Sequence, residues 1–145
     1  MKSILLAAVA LALSLSSFAK DPGVSEKVLA AFNKTFSDVK DVVWTQTNDT
    51  YEAIFKQREI QVRVYYDQDG NITKTLRYYG EDNLPLMVLS KIKTKYADKT
   101  IFGITEESSE EGLYFHVVLE DQKSWLQVKS DVYGSVTQTK KMKKG

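Results

Sequence analysis

A chain of 145 residues with 20 lysines and arginines against 19 aspartates and glutamates has no long-range field to draw in nucleic acid or an anionic membrane. It has no cysteine and one histidine, which removes disulfide frameworks and thiol catalysis and argues against a zinc site built on His and Cys. The length fits one ordinary domain.

Lys2 followed by the apolar run at residues 4–15 has the charged and apolar regions of a signal peptide, and Ser17-Phe18-Ala19 places small residues where a signal peptidase cuts. The run is shorter than the roughly 20 apolar residues that a transmembrane helix needs. Residues 1–19 are expected to be removed, leaving a periplasmic or secreted domain at 20–145 with no stable membrane insertion.

Asp21-Pro22-Gly23 is a breaker, and Ser25 is placed to cap a helix whose one face carries Val28, Leu29, Phe32 and Phe36. Val42 and Trp44 begin a first strand; Tyr51, Ala53 and Phe55 alternate with polar or smaller neighbours in a second. In a third, Ile60, Val62 and Val64 point one way and Gln61, Arg63 and Tyr65 the other. Residues 67–71, Asp-Gln-Asp-Gly-Asn, read as a hairpin loop, and residues 72–79 as a fourth strand. Gly80 starts a link, and Leu84-Pro85 opens a second helix with Val88, Leu89, Ile92 and Tyr96 on its apolar side. Strands are expected near 100–106, 113–120, 124–130 and 135–140, with 106–112 an acidic mobile loop. The lysine tail, Lys140, Lys141, Lys143 and Lys144, reads as a solvated end that blunts an edge strand.

The second half echoes the first. Val28-Leu29, Phe32, Phe36, Asp38, Val42, Trp44 and Thr45 return sixty positions on as Val88-Leu89, Ile92, Tyr96, Asp98, Phe102, Ile104 and Thr105. Tyr51 pairs with Tyr114, and Asp67, Gly70, Ile72 and Thr73 with Asp131, Gly134, Val136 and Thr137. Two repeats, about 22–80 and 84–142, are each marginal alone and should share one core. The expected fold is α+β: a tandem α-β4 duplication forming an eight-stranded curved antiparallel sheet with both helices on one face.

Alternation then divides the strand residues between two faces. The covered side should hold Phe32, Phe36, Trp44, Tyr51, Phe55, Val62, Val64, Ile92, Tyr96, Phe102, Ile104, Tyr114, Leu126 and Val128. The open side should carry Gln61, Arg63, Tyr65, Thr75, Arg77 and Tyr79 from one half, and Phe115, Val117, Leu119, Trp125, Gln127 and Lys129 from the other. Tyrosine, tryptophan and arginine are the residue types of protein–protein hot spots, and side by side they could bury roughly 800 Å² on a partner. The candidate partner-binding residues are Arg63, Tyr65, Arg77, Tyr79, Phe115 and Trp125.

Chemistry is sparse. His116 aligns with Ala53 and is expected to face inward. The Asp67-x-Asp69-Gly70 stretch departs from a calcium loop, its glycine being fourth rather than sixth, and Asp131-Val132-Tyr133-Gly134 lacks the second acid. No nucleophile elbow, P-loop or dinucleotide fingerprint occurs. Asn33, Asn48 and Asn71 begin formal glycosylation triplets that have no meaning in a bacterial protein. No catalytic residue, cofactor or metal is called for.

The Val42-x-Trp44, Tyr51-x-Ala53-x-Phe55 and Val62-x-Val64-x-Tyr66-Asp67-x-x-Gly70-Asn71 pattern, with Leu84-Pro85 opening a second copy, resembles the PepSY-like proteins, also described as β-lactamase-inhibitor-like. These are small exported bacterial proteins, and the resemblance covers nearly all of the mature chain. It implies the tandem α-β4 fold, an exported home and a protein-binding role, with no catalytic residues. It lacks the proline that often follows the aromatic at Phe36 and Tyr96. The leading reading is a non-enzymatic exported module, such as a hydrolase inhibitor, gripping an exported protein or peptide. The alternative is a small-ligand or glycan-binding protein using the same rings, which would need a deep pocket of several hundred Å³. An enzyme would need converging carboxylates, or His116 exposed beside an acid.

Overall fold

The computed structural model describes residues 23–145, so the leader expected at residues 1–19 lies outside the described residues. The elements run α1 (Glu26–Thr35), β1 (Val43–Thr47), β2 (Thr50–Gln57), β3 (Ile60–Tyr66), β4 (Ile72–Tyr79), a one-turn 3-10 helix (Glu81–Asn83), α2 (Leu86–Lys95), β5 (Thr100–Ser109), β6 (Gly112–Glu120), β7 (Ser124–Asp131) and β8 (Val136–Lys143).

Ser25 caps α1, its hydroxyl accepting from the Val28 amide at 3.3 Å, and Glu26 sits in the positive first turn. Both helices end alike. Phe36 (φ −125°, ψ 55°) and Tyr96 (φ −124°, ψ 51°) each donate their N–H to the carbonyl four residues back, Phe32 and Ile92 respectively. Pro85 is the N-cap of α2 rather than a first-turn residue, and its carbonyl accepts from the Leu89 amide at 2.9 Å.

The sheet is an antiparallel meander in sequence order, β1 through β8. Register shows that the helices share one face. Val62 pairs with Arg77, Arg77 with Glu106, and Glu106 with Phe115. Directly opposed residues point the same way, so that row runs from the α1 core to the α2 core on one side of the sheet. The first core packs Val28 and Phe32 on Tyr51, Ala53, Phe55, Val62, Val64 and Tyr66. The second packs Val88 and Ile92 on Ile104, Phe115, Val117, Leu119, Leu126 and Val128, and Ile60 touches both cores. The eight-stranded α+β duplication expected from the sequence is the fold.

The hairpin loops lock onto the helices. Gly70 (φ +85°) lies where an added Cβ would stand 3.0 Å from the Lys27 carbonyl oxygen, and Gly134 (φ +79°) where one would meet the Lys91 side chain. Asp67 and Asp131 hold these loops by accepting loop amides, Asp69 and Asn71 in one and Tyr133 and Ser135 in the other, all at 2.9 Å. Those amides, with the Asn71 side chain the largest influence on Asp67 and the Ser135 amide on Asp131, hold both carboxyls below their usual range. Asp67 and Asp131 thus act as turn residues of the two hairpins.

Three expectations are corrected. Residues 106–112 are not a mobile loop: β5 continues to Ser109 and β6 starts at Gly112, leaving a tight turn at Glu110-Glu111. Phe102 is not core but 64 % exposed, because it is the extra residue of a bulge: Ile101 pairs with Leu119 and Gly103 with Val118, which leaves Phe102 unopposed. Tyr114 is not core either, since the register of β6 is one residue off the expected match to β2. Tyr51, Ala53 and Phe55 correspond to Phe115, Val117 and Leu119, and a one-residue slip moves every side chain to the other face.

Candidate functional site

Six of the residues expected on the open face were the candidate partner-binding set. The structure places three of them there: Arg63 and Tyr65 on β3 and Trp125 on β7, all half-buried. Phe115 is 1 % exposed within the second core, together with Val117 and Leu119. The slip in β6 explains all three.

Arg77 and Tyr79 also lie on the helix side. A bulge after Tyr65 shifts β4 by one residue, so that Arg63 pairs with Leu76 and Gln61 with Tyr78. This puts Thr75, Arg77 and Tyr79 beneath the helices and turns Lys74, Leu76 and Tyr78 outward. Arg77 and Tyr79 still have a role there. The Tyr79 hydroxyl donates to Glu106 Oε2 at 2.5 Å and the Arg77 guanidinium donates to Glu106 Oε1 at 3.1 Å. Burial, then the Glu106 hydrogen bond, drives the Tyr79 hydroxyl well above its usual range. These groups tie β4 of the first half to β5 of the second, between the two cores.

The open face therefore has a different membership. One row across the sheet reads Val43, Ile54, Arg63, Leu76, Glu107, Tyr114, Asp131. The next reads Lys56, Gln61, Tyr78, Thr105, His116, Lys129. No helix covers these rows among the described residues, since both pack on the other side.

Its charges are arranged around its rings. Arg63 lies 5.8 Å from the Tyr78 ring centre and donates to Glu52 Oε1 at 3.1 Å. Burial opposes ionisation of Glu52, but hydrogen bonds from Tyr65, Thr45 and Arg63 outweigh it and hold the carboxyl below its usual range. Lys74 stands 4.5 Å over Tyr65, Lys129 3.8 Å over Tyr114 and Lys144 4.3 Å over Trp125. Phe102 meets Trp125 edge-on at 4.7 Å.

His116 faces outward, contrary to the expected inward position, and its Nε2 is 3.0 Å from Glu107 Oε2, with both side chains about one-third exposed (38 % and 30 %). This is the exposed histidine beside an acid that an enzyme reading asks for. Among the described residues no hydroxyl hydrogen-bonds to the other ring nitrogen.

Sequence reasoning missed Leu76, Tyr78, Phe102, Tyr114 and His116. For β6 a signal existed: Phe115, Val117 and Leu119 outrank Tyr114, His116 and Val118 in hydrophobicity, and the more apolar set goes inward. For Tyr78 and Phe102 the cause is a bulge, which leaves alternation unreadable.

The helix side also has an exposed apolar group. Leu86 is 81 % and Met87 59 % exposed at the start of α2, and Tyr133 is 70 % exposed in the β7–β8 turn. No helix of the described residues is long and apolar enough to cross a membrane.

The fold and its uncovered sheet are those of an open-sheet α+β class found among solved bacterial structures. A BLIP-like protein from Bacteroides fragilis superposes with a TM-score of 0.70 at 20% identity, over 85% of this chain and 89% of that one. A DUF2874 family protein from Bacteroides ovatus gives 0.69 at 17% identity, over 83% and 88%. A protein from Bacteroides eggerthii named for a periplasmic location gives 0.69 at 16% identity, over 83% and 89%. No known family profile and no curated protein matches the chain.

Proposed function

We propose that this chain is an exported, non-enzymatic binding module that grips a partner protein through its open sheet face. The observation that carries the reading is the uncovered face itself: Tyr65, Tyr78, Tyr114, Trp125 and Arg63 stand half-buried on the side away from both helices. A sheet face that met only water would be threonine, lysine and glutamate. Export rests on the leader-like residues 1–19 and on the periplasmic naming of one structural neighbour. The BLIP-like neighbour and the β-lactamase-inhibitor-like resemblance make a hydrolase the first partner class to test.

Protein is favoured over a stacked sugar or flat ring because three of the rings already carry a cation on one face. Ammonium groups sit over Tyr65, Tyr114 and Trp125. A stacking ligand would have to displace each of them.

The test uses the mature protein as bait in a periplasmic extract, beside the Tyr65→Ala/Trp125→Ala double variant. Both residues are off the core, so the variant should keep its circular dichroism spectrum and melting midpoint while losing the captured protein. Undiminished capture by the folded variant refutes the open face.

A further inference from the structure

We propose that this chain pairs with a second copy of itself through β1, edge to edge and antiparallel, joining two eight-stranded sheets into one. Such pairing is independent of the partner-binding reading above, since none of the open-face rings takes part in it.

A meander of eight strands in sequence order has two free edges, β1 and β8. A free edge offers unpaired N–H and C=O groups to any other strand, and chains that stay single guard it with charge. Here only one edge is guarded. β8 carries Lys140, Lys141 and Lys143, and the Lys95 ammonium of α2 donates to the Val136 carbonyl at 3.3 Å. β1 reads Val-Trp-Thr-Gln-Thr, and residues 42–48 hold no charge in a chain of which 27% is charged. Among the described residues, β2 is the only strand that pairs with β1, and no loop backbone bonds to it. Alternate residues of β1 therefore turn their backbone groups outward with no strand to receive them.

A second β1 is the occupant this edge fits. With a two-fold axis normal to the sheet at Thr45, Val43 of one copy lies opposite Thr47 of the other, and Trp44 opposite Gln46. The opposed residues are uncharged and mostly β-branched, the types that pair well across strands. Val43 and Thr47 both belong to the open side of the sheet, and Val43 is 58 % exposed, so the pairing covers it. At the strand ends, Lys40 and Asp41 of one copy approach Asp49 of the other, a set of mixed sign. β8 against β8 would instead set lysine against lysine, which opposes pairing.

Symmetry favours the same choice. β1 of one copy against β8 of the next is head-to-tail, and each addition would expose a new edge and extend a filament. β1 against β1 closes at two copies and leaves a lysine-guarded β8 at each end of the joined sheet. Opposed residues of neighbouring strands point the same way, so both open faces of the dimer look in one direction. Five residues of pairing make a small interface, which should come apart on dilution.

The experiment sediments the mature chain over a dilution series beside Val43→Lys/Thr47→Lys, whose lysines oppose each other twice across the axis. The parent should run as a dimer when concentrated, and the variant's dissociation constant should rise about tenfold, with salt restoring part of the loss. Both positions are exposed, so a melting midpoint that matches the dilute parent's shows the variant folded. Thr45→Cys, the single thiol in an otherwise cysteine-free chain, carries a nitroxide label. Strands side by side, about 4.8 Å apart, should give a short distance between the two labels of a dimer. A parent that stays monomeric, a dimer indifferent to the lysines, a long label distance, or growth past two copies overturns the pairing. A monomer whose partner capture the lysines abolish also overturns it, and assigns the β1 edge to a strand of the partner. Tyr65→Ala/Trp125→Ala should keep the dimer whether or not it keeps partner capture, so either reading can fail alone.

Discussion

The two halves share an architecture and differ in which side of it their tryptophan takes. In the first, Phe32 lies 5.2 Å from Phe36, 5.2 Å from Trp44 and 5.4 Å from Phe55, an aromatic stack sealed under α1. In the second, the covered side is mostly aliphatic, with Val88, Ile92, Ile104, Val117, Leu119, Leu126 and Val128 around one phenylalanine, Phe115. Its tryptophan and a phenylalanine stand outside, as Trp125 against Phe102. Rings inside add stability, and rings outside add something only when another molecule covers them. Both halves put tyrosines on the open face, but only the second adds an exposed phenylalanine–tryptophan pair.

That contrast can be broken by substitution. Phe32→Ala should cost about 4 kcal/mol, the usual loss for a buried ring that leaves a cavity, read as a fall in the urea midpoint at unchanged slope. Phe102→Ala, its counterpart in the exposed pair, should change stability by no more than about 0.5 kcal/mol. A large loss at Phe102 would show that its ring is part of the core after all.

At the join between halves, Glu106→Gln removes the charged acceptor shared by Tyr79 and Arg77, and about 2 kcal/mol should go with it. Of the two loop glycines, Gly70→Ala should cost more than Gly134→Ala. Both suffer about 1–2 kcal/mol of left-handed strain, but the new methyl at Gly70 meets backbone, whereas at Gly134 it meets the movable Lys91 side chain. Equal midpoints for the pair would contradict the close packing of the first loop on α1.

Tyr66→Phe acts in the other direction. The Tyr66 hydroxyl is buried without a hydrogen-bond partner, and burial pushes it up to about 12. Removing it should leave stability unchanged or raise it by about 1 kcal/mol. The parent should also lose stability above pH 10, where the unfolded chain gives up this proton and the folded chain keeps it; Tyr66→Phe should flatten that loss.

At the acid end the halves should behave alike. Asp67 and Asp131 are both held below 3.8 in the folded protein. As acid is added the unfolded chain takes up these protons first, so the urea midpoint should fall from about pH 4 downward. Asp67→Asn and Asp131→Asn should each remove part of that slope.

How much of this was legible beforehand depends on what writes into the pattern. Helix starts, turn glycines and the duplication are local, and Ser25, Gly70 and Gly134 announced them. The inward rows of β2 and β3 were legible because Tyr51, Ala53, Phe55, Val62 and Val64 recur every second residue, with Glu52, Lys56, Gln61 and Arg63 among the residues between them. Face assignment failed where one extra residue intervenes. The bulge after Tyr65 and the single-residue slip between Tyr51 and Phe115 reverse the parity of β4 and of β6, and the bulge at Phe102 turns that one residue out. Such a reversal leaves composition untouched, so Arg77, Tyr79 and Phe115 resembled Arg63, Tyr65 and Trp125 until register separated them.

The most direct measurement sets the two exposed apolar surfaces against each other. Partner capture from periplasmic extract is quantified for the mature protein, for Tyr65→Ala/Trp125→Ala on the open face, and for Leu86→Ala/Met87→Ala on the helix side. The account predicts that the first variant loses its captured protein and the second keeps it, with both folded. Capture lost only on the helix side, or kept by both, would contradict it.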